Sequence, residues 1–181
     1  NSTLEACYLL SYLADGLGSG HKDYRLKMED FSIVPQPFFE GVACAEPAFF
    51  EQTDSAFLIG SDLTREQPLL TLRLRKALTH HRAELNTLHC VDFDYRLPVN
   101  SQAVVSPEKI TSYLQALICF MEAPSADLPT SEDCQSVESL KTVALSLKKA
   151  DKPFIVLGAM ALHHPQAGLI QKLAVQLARL T

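Results

Sequence analysis

The sequence predicts an α/β domain of the Rossmann-like type, in which a mostly parallel sheet carries helices on both faces. Two continuous apolar runs, residues 55–60 and 153–158, each end in glycine, a pattern typical of strands buried on both faces of a parallel sheet. Amphipathic helical patterns alternate with strand-like segments through the rest of the sequence. The length of 181 residues suits a single domain, so residues 1–181 are assigned to one α/β unit.

Residues 3–16 are predicted to form the first helix. Thr3 can cap its amino terminus, and three glycines, at positions 16, 18 and 20, stop it. Its apolar stripe consists of Leu4, Cys7, Tyr8, Leu10 and Leu13. Residues 21–47 contain three prolines, which exclude a long helix, so a short extended piece at residues 23–26 and an ordered loop are expected.

The middle of the sequence is predicted to contain three strands and two helices. After the strand at 55–60, Pro68 suits the first turn of a helix. The apolar spacing of that helix includes Leu70, Leu74, Ala77 and His81. Residues 85–91 and 103–105 follow as the second and third strands. Ser106 and Pro107 then open a helix as its N-cap and first-turn residue.

The last third of the sequence begins with a loop at residues 122–132, which contains two prolines. A helix at residues 133–149 precedes the strand at 153–158. The apolar periodicity from Leu169 to Leu180 predicts a closing helix.

Composition excludes some classes of partner. Lys and Arg number 16 and Asp and Glu 21, a net charge of −5, which argues against a nucleic acid held by phosphate contacts. No apolar run approaches the roughly 20 residues of a membrane-spanning helix, and the first residues lack signal-peptide features, so a soluble location is expected. The first residue is not Met, and we expect the sequence to be a piece of a longer protein.

The cysteines and histidines do not indicate a metal centre. The five cysteines include no C-x-x-C pair and are interpreted as reduced thiols of a cytosolic protein. The histidine pairs at 80–81 and 163–164 supply at most one ligand each, because adjacent side chains on a helix diverge. His89 and Cys90 are expected on opposite faces of the predicted strand at residues 85–91, so a packed cysteine is favoured over a thiol nucleophile.

The loop at residues 60–66 is the first candidate site, because ligands of open α/β sheets bind where strands end and helices begin. It has one glycine and two acids, whereas nucleotide loops are rich in glycine, so a structural turn is the alternative. Between Arg65 and Arg82 there are five bases and one acid, a local charge of +4. This stretch is either a solvated helix face or a contact with a partner.

Four stretches carry a resemblance to a known family: residues 9–26, 50–62, 68–77 and 153–165. The second, with its sequence Phe-Glu-Gln-Thr-Asp-Ser-Ala-Phe-Leu-Ile-Gly-Ser-Asp, is the most specific. Together they resemble the molybdopterin-oxidoreductase-like carboxyl-terminal part of the G subunit of bacterial NADH-quinone oxidoreductases (respiratory complex I), over nearly the full length.

The resemblance implies a site for a guanine dinucleotide cofactor in the catalytic members. Its first loop corresponds to Gly60, Ser61 and Asp62, and its second to residues 92–94, beginning with Asp92. Two departures add negative charge: Asp62 replaces an asparagine, and Asp94 replaces a basic residue. No residue resembles a molybdenum ligand. These positions are therefore expected to be the remains of a lost cofactor site. No catalytic residue, metal or cofactor is expected within residues 1–181.

The resemblance thus implies a non-catalytic structural domain in the electron-input arm of an NADH-quinone oxidoreductase. Its expected partners are other parts of the G subunit and neighbouring subunits, on the cytoplasmic side and peripheral to the inner membrane, without membrane insertion or nucleic acid. Iron–sulfur clusters are expected elsewhere in the parent polypeptide. The alternative is a domain that still binds molybdopterin guanine dinucleotide or a free nucleotide.

Overall fold

The computed structural model describes residues 3–20, 22, 30, 47–123 and 134–181. Within them, four strands form one sheet in the order β3-β2-β1-β4, and every neighbouring pair is parallel. The strands are β1 (Ser55–Ile59), β2 (Glu84–His89), β3 (Ser101–Val104) and β4 (Pro153–Leu157). The prediction of a Rossmann-like α/β fold with a parallel sheet is confirmed.

Seven α-helices lie in the described residues. They are α1 (Leu4–Gly16), α2 (Leu63–Glu66), α3 (Pro68–Lys76), α4 (Ile110–Glu122), α5 (Cys134–Lys149), α6 (Ala159–Leu162) and α7 (Ala167–Leu180). Two 3-10 turns, Pro47–Gln52 and Pro107–Lys109, and a π-helical turn, Ala77–His81, complete the regular elements of this part of the protein. The short helices α2 and α6 each follow a strand by a few residues, and the sequence patterns did not predict them as helices.

Two apolar cores lie on opposite faces of the sheet. Alternate residues of β1 contribute to different cores: Phe57 and Ile59 pack with α4, α5 and α7, whereas Ala56 and Leu58 pack with α3. All five residues of β1 are buried. Their continuous apolar character follows from this position, since a central strand covered on both faces has no solvent side.

A buried polar network fastens α5 to the amino-terminal end of the sheet. The hydroxyl of Ser146 lies 2.7 Å from that of Ser55 and accepts a hydrogen bond of 2.9 Å from the Asn86 amide. The Asn86 carbonyl oxygen in turn accepts a 3.1 Å bond from Asn100. Asn86 is fully buried, and these bonds satisfy a polar group that would otherwise be costly to bury.

The first helix lies where the sequence predicts it, but its apolar stripe does not pack into a core. Helix α1 begins after Thr3, whose hydroxyl accepts from the amide of Ala6, and ends at Gly16, as predicted. None of its residues is buried, and Leu4 is 84% exposed. Helical periodicity of apolar residues indicates that a face exists, but it does not say what covers it.

The predicted helix after Pro68 changes character before its expected end. The α-helical geometry ends at Lys76, and the π-helical turn follows, after which Arg82 adopts a left-handed backbone with φ 54°. His81 is exposed, so its assignment to the apolar face is wrong. The wider turn rotates residues 77–81 relative to an α-helical register, which accounts for the shift.

The other boundaries differ from the predicted ones by a few residues. The second strand, predicted at 85–91, ends at His89, and the third, predicted at 103–105, occupies Ser101–Val104. The helix at 133–149 is confirmed with a start at Cys134. The predicted extended piece at 23–26, most of the loop at 21–47 and most of the loop at 122–132 lie outside the described residues.

No helix in the described ranges combines the length and apolarity needed to cross a membrane. Cys7, Cys90 and Cys119 are free thiols, as predicted, whereas Cys44 lies outside the described ranges.

Candidate functional site

The loops after β1 and β4 meet at the carboxyl edge of the sheet. The amide of Gly158 donates to the carbonyl of Ile59 at 2.9 Å, and the amide of Met160 donates to the carbonyl of Gly60 at 3.2 Å. Gly60 has a left-handed φ of 61°. Gly60 and Gly158 lie at the same edge of the sheet, because both follow parallel strands that pair directly.

Position 158 must be glycine because there is no room for a Cβ. A Cβ at this position would lie 2.3 Å from the Cα of Ser61 and 2.4 Å from the carbonyl oxygen of Gly60. Its own φ of −88° is ordinary, so the requirement comes from the approach of the neighbouring loop. The two loops are therefore in direct backbone contact.

The carboxylate of Glu66 joins these loops. One oxygen accepts a 3.1 Å bond from the amide of Asp62, and the other accepts bonds from the amide of Ala159 at 3.0 Å and the hydroxyl of Ser61 at 3.2 Å. These donors follow two different strands and converge on one anion. They are the kind of groups that hold a phosphate in a nucleotide site, and here the protein supplies its own carboxylate to them.

The side chain of Asp62 is only 16% exposed and is paired with a cation of its own loop. Its carboxylate pairs with the Arg65 guanidinium at 3.2 Å, and Arg65 is 81% exposed. The amide of Asp62 already donates to Glu66. Because Arg65 is exposed, this pair contributes little to stability, but it neutralises one charge of the loop.

Tyr95 supports the first loop from the segment beyond β2. Its buried hydroxyl donates to the carbonyl of Ser61 at 3.3 Å. Burial raises the pKa of Tyr95 to about 12; the carboxylates of Asp62, Glu66 and Asp92 add to the rise, and the Thr87 hydroxyl opposes it. The phenol is therefore a neutral hydrogen-bond donor at neutral pH, within electrostatic range of all three carboxylates.

The second turn of the predicted site lies beside the first. Asp92 accepts a 2.9 Å bond from the side-chain amide of Gln102, and Asp94 accepts a 3.0 Å bond from the backbone amide of Arg96, closing a local turn. Phe93 packs edge-on against His89, with ring centroids 4.6 Å apart. The carboxylates here engage neighbouring residues of the protein itself.

His89 ends β2 and folds over the turn that follows. Its Nδ1 accepts a 3.0 Å bond from the amide of Val91, so this nitrogen is not available to the half-buried Cys90. Burial lowers the pKa of His89 below its ordinary value of 6.5, and the carboxylates of Glu66 and Asp62 partly offset this effect. His89 is thus a neutral acceptor that holds the second turn.

Acidification is expected to destabilise the protein through His89. In the unfolded state this residue takes up a proton near pH 6.5, whereas in the fold it stays neutral to lower pH. The free energy of unfolding therefore falls as the pH decreases through 6.5 towards the folded pKa, and is fully recovered above 6.5. Urea denaturation at a series of pH values measures this dependence.

The matched variants for this prediction are His89→Asn and His80→Asn. Asparagine at 89 can accept a hydrogen bond without titrating, so the slope of stability against pH is expected to shrink. The exposed His80 serves as the control, and its replacement is expected to leave the slope unchanged. An unchanged slope in His89→Asn would show that other groups cause the acid sensitivity.

The structure brings the predicted residues Gly60, Ser61, Asp62 and Asp92 to one edge of the sheet. The sequence reasoning missed Glu66 and Tyr95, which organise that edge. In the sequence Glu66 is only one acid of the loop, and its position four residues after Asp62 carries no recognised motif. Its role depends on Ala159, which lies 93 residues further along the sequence.

The remaining candidate residues, the paired histidines, do not form a common site. His80 and His81 are exposed at the end of the π-helical turn, and both ring nitrogens of the buried His164 engage the backbone, at Pro107 and Gln166. Among the residues the structure describes, no group of three or more His, Cys, Asp or Glu side chains could hold a metal ion.

A sequence model of one protein family, molybdopterin oxidoreductase, matches residues 1–181. A search of curated proteins found no match.

Proposed function

Because the protein belongs to the molybdopterin oxidoreductase family, we propose that it is a non-catalytic structural domain of the G subunit of an NADH-quinone oxidoreductase. The domain would lie in the electron-input arm, on the cytoplasmic side and peripheral to the inner membrane. Its partners would be other parts of the G subunit and neighbouring subunits, and the iron–sulfur clusters would lie elsewhere in the parent polypeptide. The four matching stretches described above support this branch of the family.

The observation that carries the proposal is the position of Glu66. Its carboxylate uses the amides of Asp62 and Ala159, the donors that a pyrophosphate at this edge would need. The site is thereby converted into a clamp between the ends of β1 and β4. This is a structural task, and it leaves the edge without free donors at these two positions.

The negative charge at this edge of the sheet also supports a structural role over cofactor binding. Asp62, Glu66, Asp92 and Asp94 contribute four carboxylates against two cations, Arg65 and Arg96, and Arg65 is already paired with Asp62. Each close carboxylate would repel a pyrophosphate by about 1 kcal/mol even at high effective dielectric. The residues present therefore do not fit the dinucleotide end of a molybdopterin cofactor, and no reaction step is assigned to it.

Retained binding of molybdopterin guanine dinucleotide or a free nucleotide is the second candidate. Its support is the location of the Gly60 loop, at the carboxyl edge where ligands of parallel sheets bind. The two candidates differ in the expected affinity for a guanine diphosphate.

Calorimetric titration with GDP tests the proposal. The wild-type protein is expected to bind GDP with a dissociation constant of about 1 mM or weaker, because the carboxylates repel its phosphates. Replacing Asp62→Asn and Asp94→Asn together is expected to tighten binding about tenfold. Asparagine at 94 retains the oxygen that accepts from Arg96, so the local turn is preserved.

The control removes two charges elsewhere. Asp151→Asn with Glu122→Gln changes exposed acids before β4 and at the end of α4, at the opposite edge of the sheet, and is expected to leave GDP affinity unchanged. Micromolar binding by the wild type would overturn the structural assignment in favour of a working nucleotide site.

A further inference from the structure

Helix α3 presents two large apolar side chains to solvent. Leu69 is 74% exposed and Leu72 is 55% exposed. They lie on the face opposite to the buried Thr71 and Leu74, which pack towards the sheet. Phe49, which is 50% exposed, lies in the 3-10 turn that packs beside α3.

Cations surround these leucines. Arg73 and Lys76 share the Glu51 carboxylate at 3.1 and 3.2 Å, and residues 69, 72, 73 and 76 follow one face of the helix. Arg75 borders the other side and is exposed. The three cations Arg73, Arg75 and Lys76 and the one acid Glu51 give this surface a local charge of +2, on a protein of net charge −5.

We propose that this α3 surface, made of Phe49, Leu69, Leu72 and the cations Arg73, Arg75 and Lys76, docks an acidic protein segment that also carries apolar side chains. Exposed apolar area together with aromatic groups and arginine is typical of protein interfaces. The positive charge selects an acidic partner.

The same features argue against other polyanions. Leucine side chains make no favourable contact with phosphate groups. The Glu51 carboxylate lies within the cationic patch and would repel a phosphate. Arg75 has no ion-pair partner among the described residues, so its guanidinium remains available to a carboxylate. A protein segment can use both the apolar and the charged parts of this surface at once.

The proposal that the α3 surface docks a partner rests on the proposed structural role. It extends that role by naming the surface through which the domain contacts its partner. Its test is photocrosslinking in the intact parent polypeptide, expressed in its own cells, with a benzophenone amino acid at Leu72. The crosslinked segment is identified by mass spectrometry. We expect a protein segment in which Asp and Glu outnumber Lys and Arg, with a yield that falls as salt is raised in cell extracts.

Two controls separate charge from apolar exposure. Val104 is also half exposed, but the only cation in residues 97–109 is Lys109, so the same crosslinker there is expected not to capture the acidic segment. Arg75→Glu is expected to lower the Leu72 yield about fivefold, which corresponds to about 1 kcal/mol. Lys141→Glu makes the same charge change on α5 and is expected to leave the yield unchanged.

The outcomes distinguish this inference from the proposed function. Capture of an acidic segment from a protein outside an NADH-quinone oxidoreductase would support the α3 surface and contradict the assignment to the G subunit. Capture of RNA, lipid or a segment without acidic excess, equal losses in Arg75→Glu and Lys141→Glu, or no crosslink at Leu72 would overturn the α3 surface. Circular dichroism of the purified variants confirms that each is folded.

Discussion

Replacing Gly158 with alanine is expected to destabilise the protein by about 3 kcal/mol or more. The new Cβ would lie 2.3 Å from the Cα of Ser61, and the other two atoms closest to it, both at 2.4 Å, also belong to that loop. Relief requires movement of backbone, because no flexible side chain can swing away. The loop after β1 and the end of β4 must then separate, so their hydrogen bonds weaken as well.

Urea denaturation measures this loss, and Gly20→Ala is the matched control. A Cβ at Gly20 meets no atom within 4 Å, so its effect is expected to stay within about 0.5 kcal/mol. A Gly158→Ala protein as stable as the control would show that the two loops are not in tight contact.

Replacing Glu66 with alanine is expected to cost about 2 to 4 kcal/mol of unfolding free energy. The amides of Asp62 and Ala159 and the hydroxyl of Ser61 would all lose their acceptor. Alanine also leaves a gap that water fills only in part, because this edge is half buried. Glu66→Gln keeps the shape but loses the charge and one acceptor, so its cost should be intermediate.

Glu138→Ala provides the comparison, since that glutamate is exposed on α5 and its replacement should change stability by less than about 0.5 kcal/mol. Amide hydrogen exchange adds a local measurement: faster exchange at Asp62 and Ala159 in Glu66→Ala is expected. Unchanged protection at both amides would contradict the clamp between the two loops.

The elements that could be predicted are those determined by local pattern. The run at 55–60 is apolar at nearly every position because β1 is central and buried on both faces, as predicted. The run at 153–158 contacts both cores, but β4 ends the strand order and its residues are only partly buried, so its predicted full burial is wrong. Helices α3, α4, α5 and α7 show helical spacing of apolar residues, and their positions agree within a few residues. Parallel pairing followed from the alternation of strands and helices.

The parts that could not be predicted depend on residues far apart in sequence. Glu66 is one acid among several in its loop until the fold brings Ala159 to it. The exposed stripe of α1 has the same periodicity as a buried face, so its burial could not be inferred from spacing. The α-helical spacing of residues 70–81 likewise gave no sign of the π-helical turn that exposes His81.

The pairing of β1 with β4 has a consequence for how the protein folds during synthesis. Ser55 pairs with Glu84, 29 residues later, but its partner on the other side is Pro153, 98 residues later. Throughout the intervening synthesis the emerging central strand presents one unpaired, uncharged edge, which favours association with other polypeptides. The nascent protein is therefore most vulnerable to aggregation before β4 is complete, and polypeptides truncated ahead of residue 153 keep that open edge permanently.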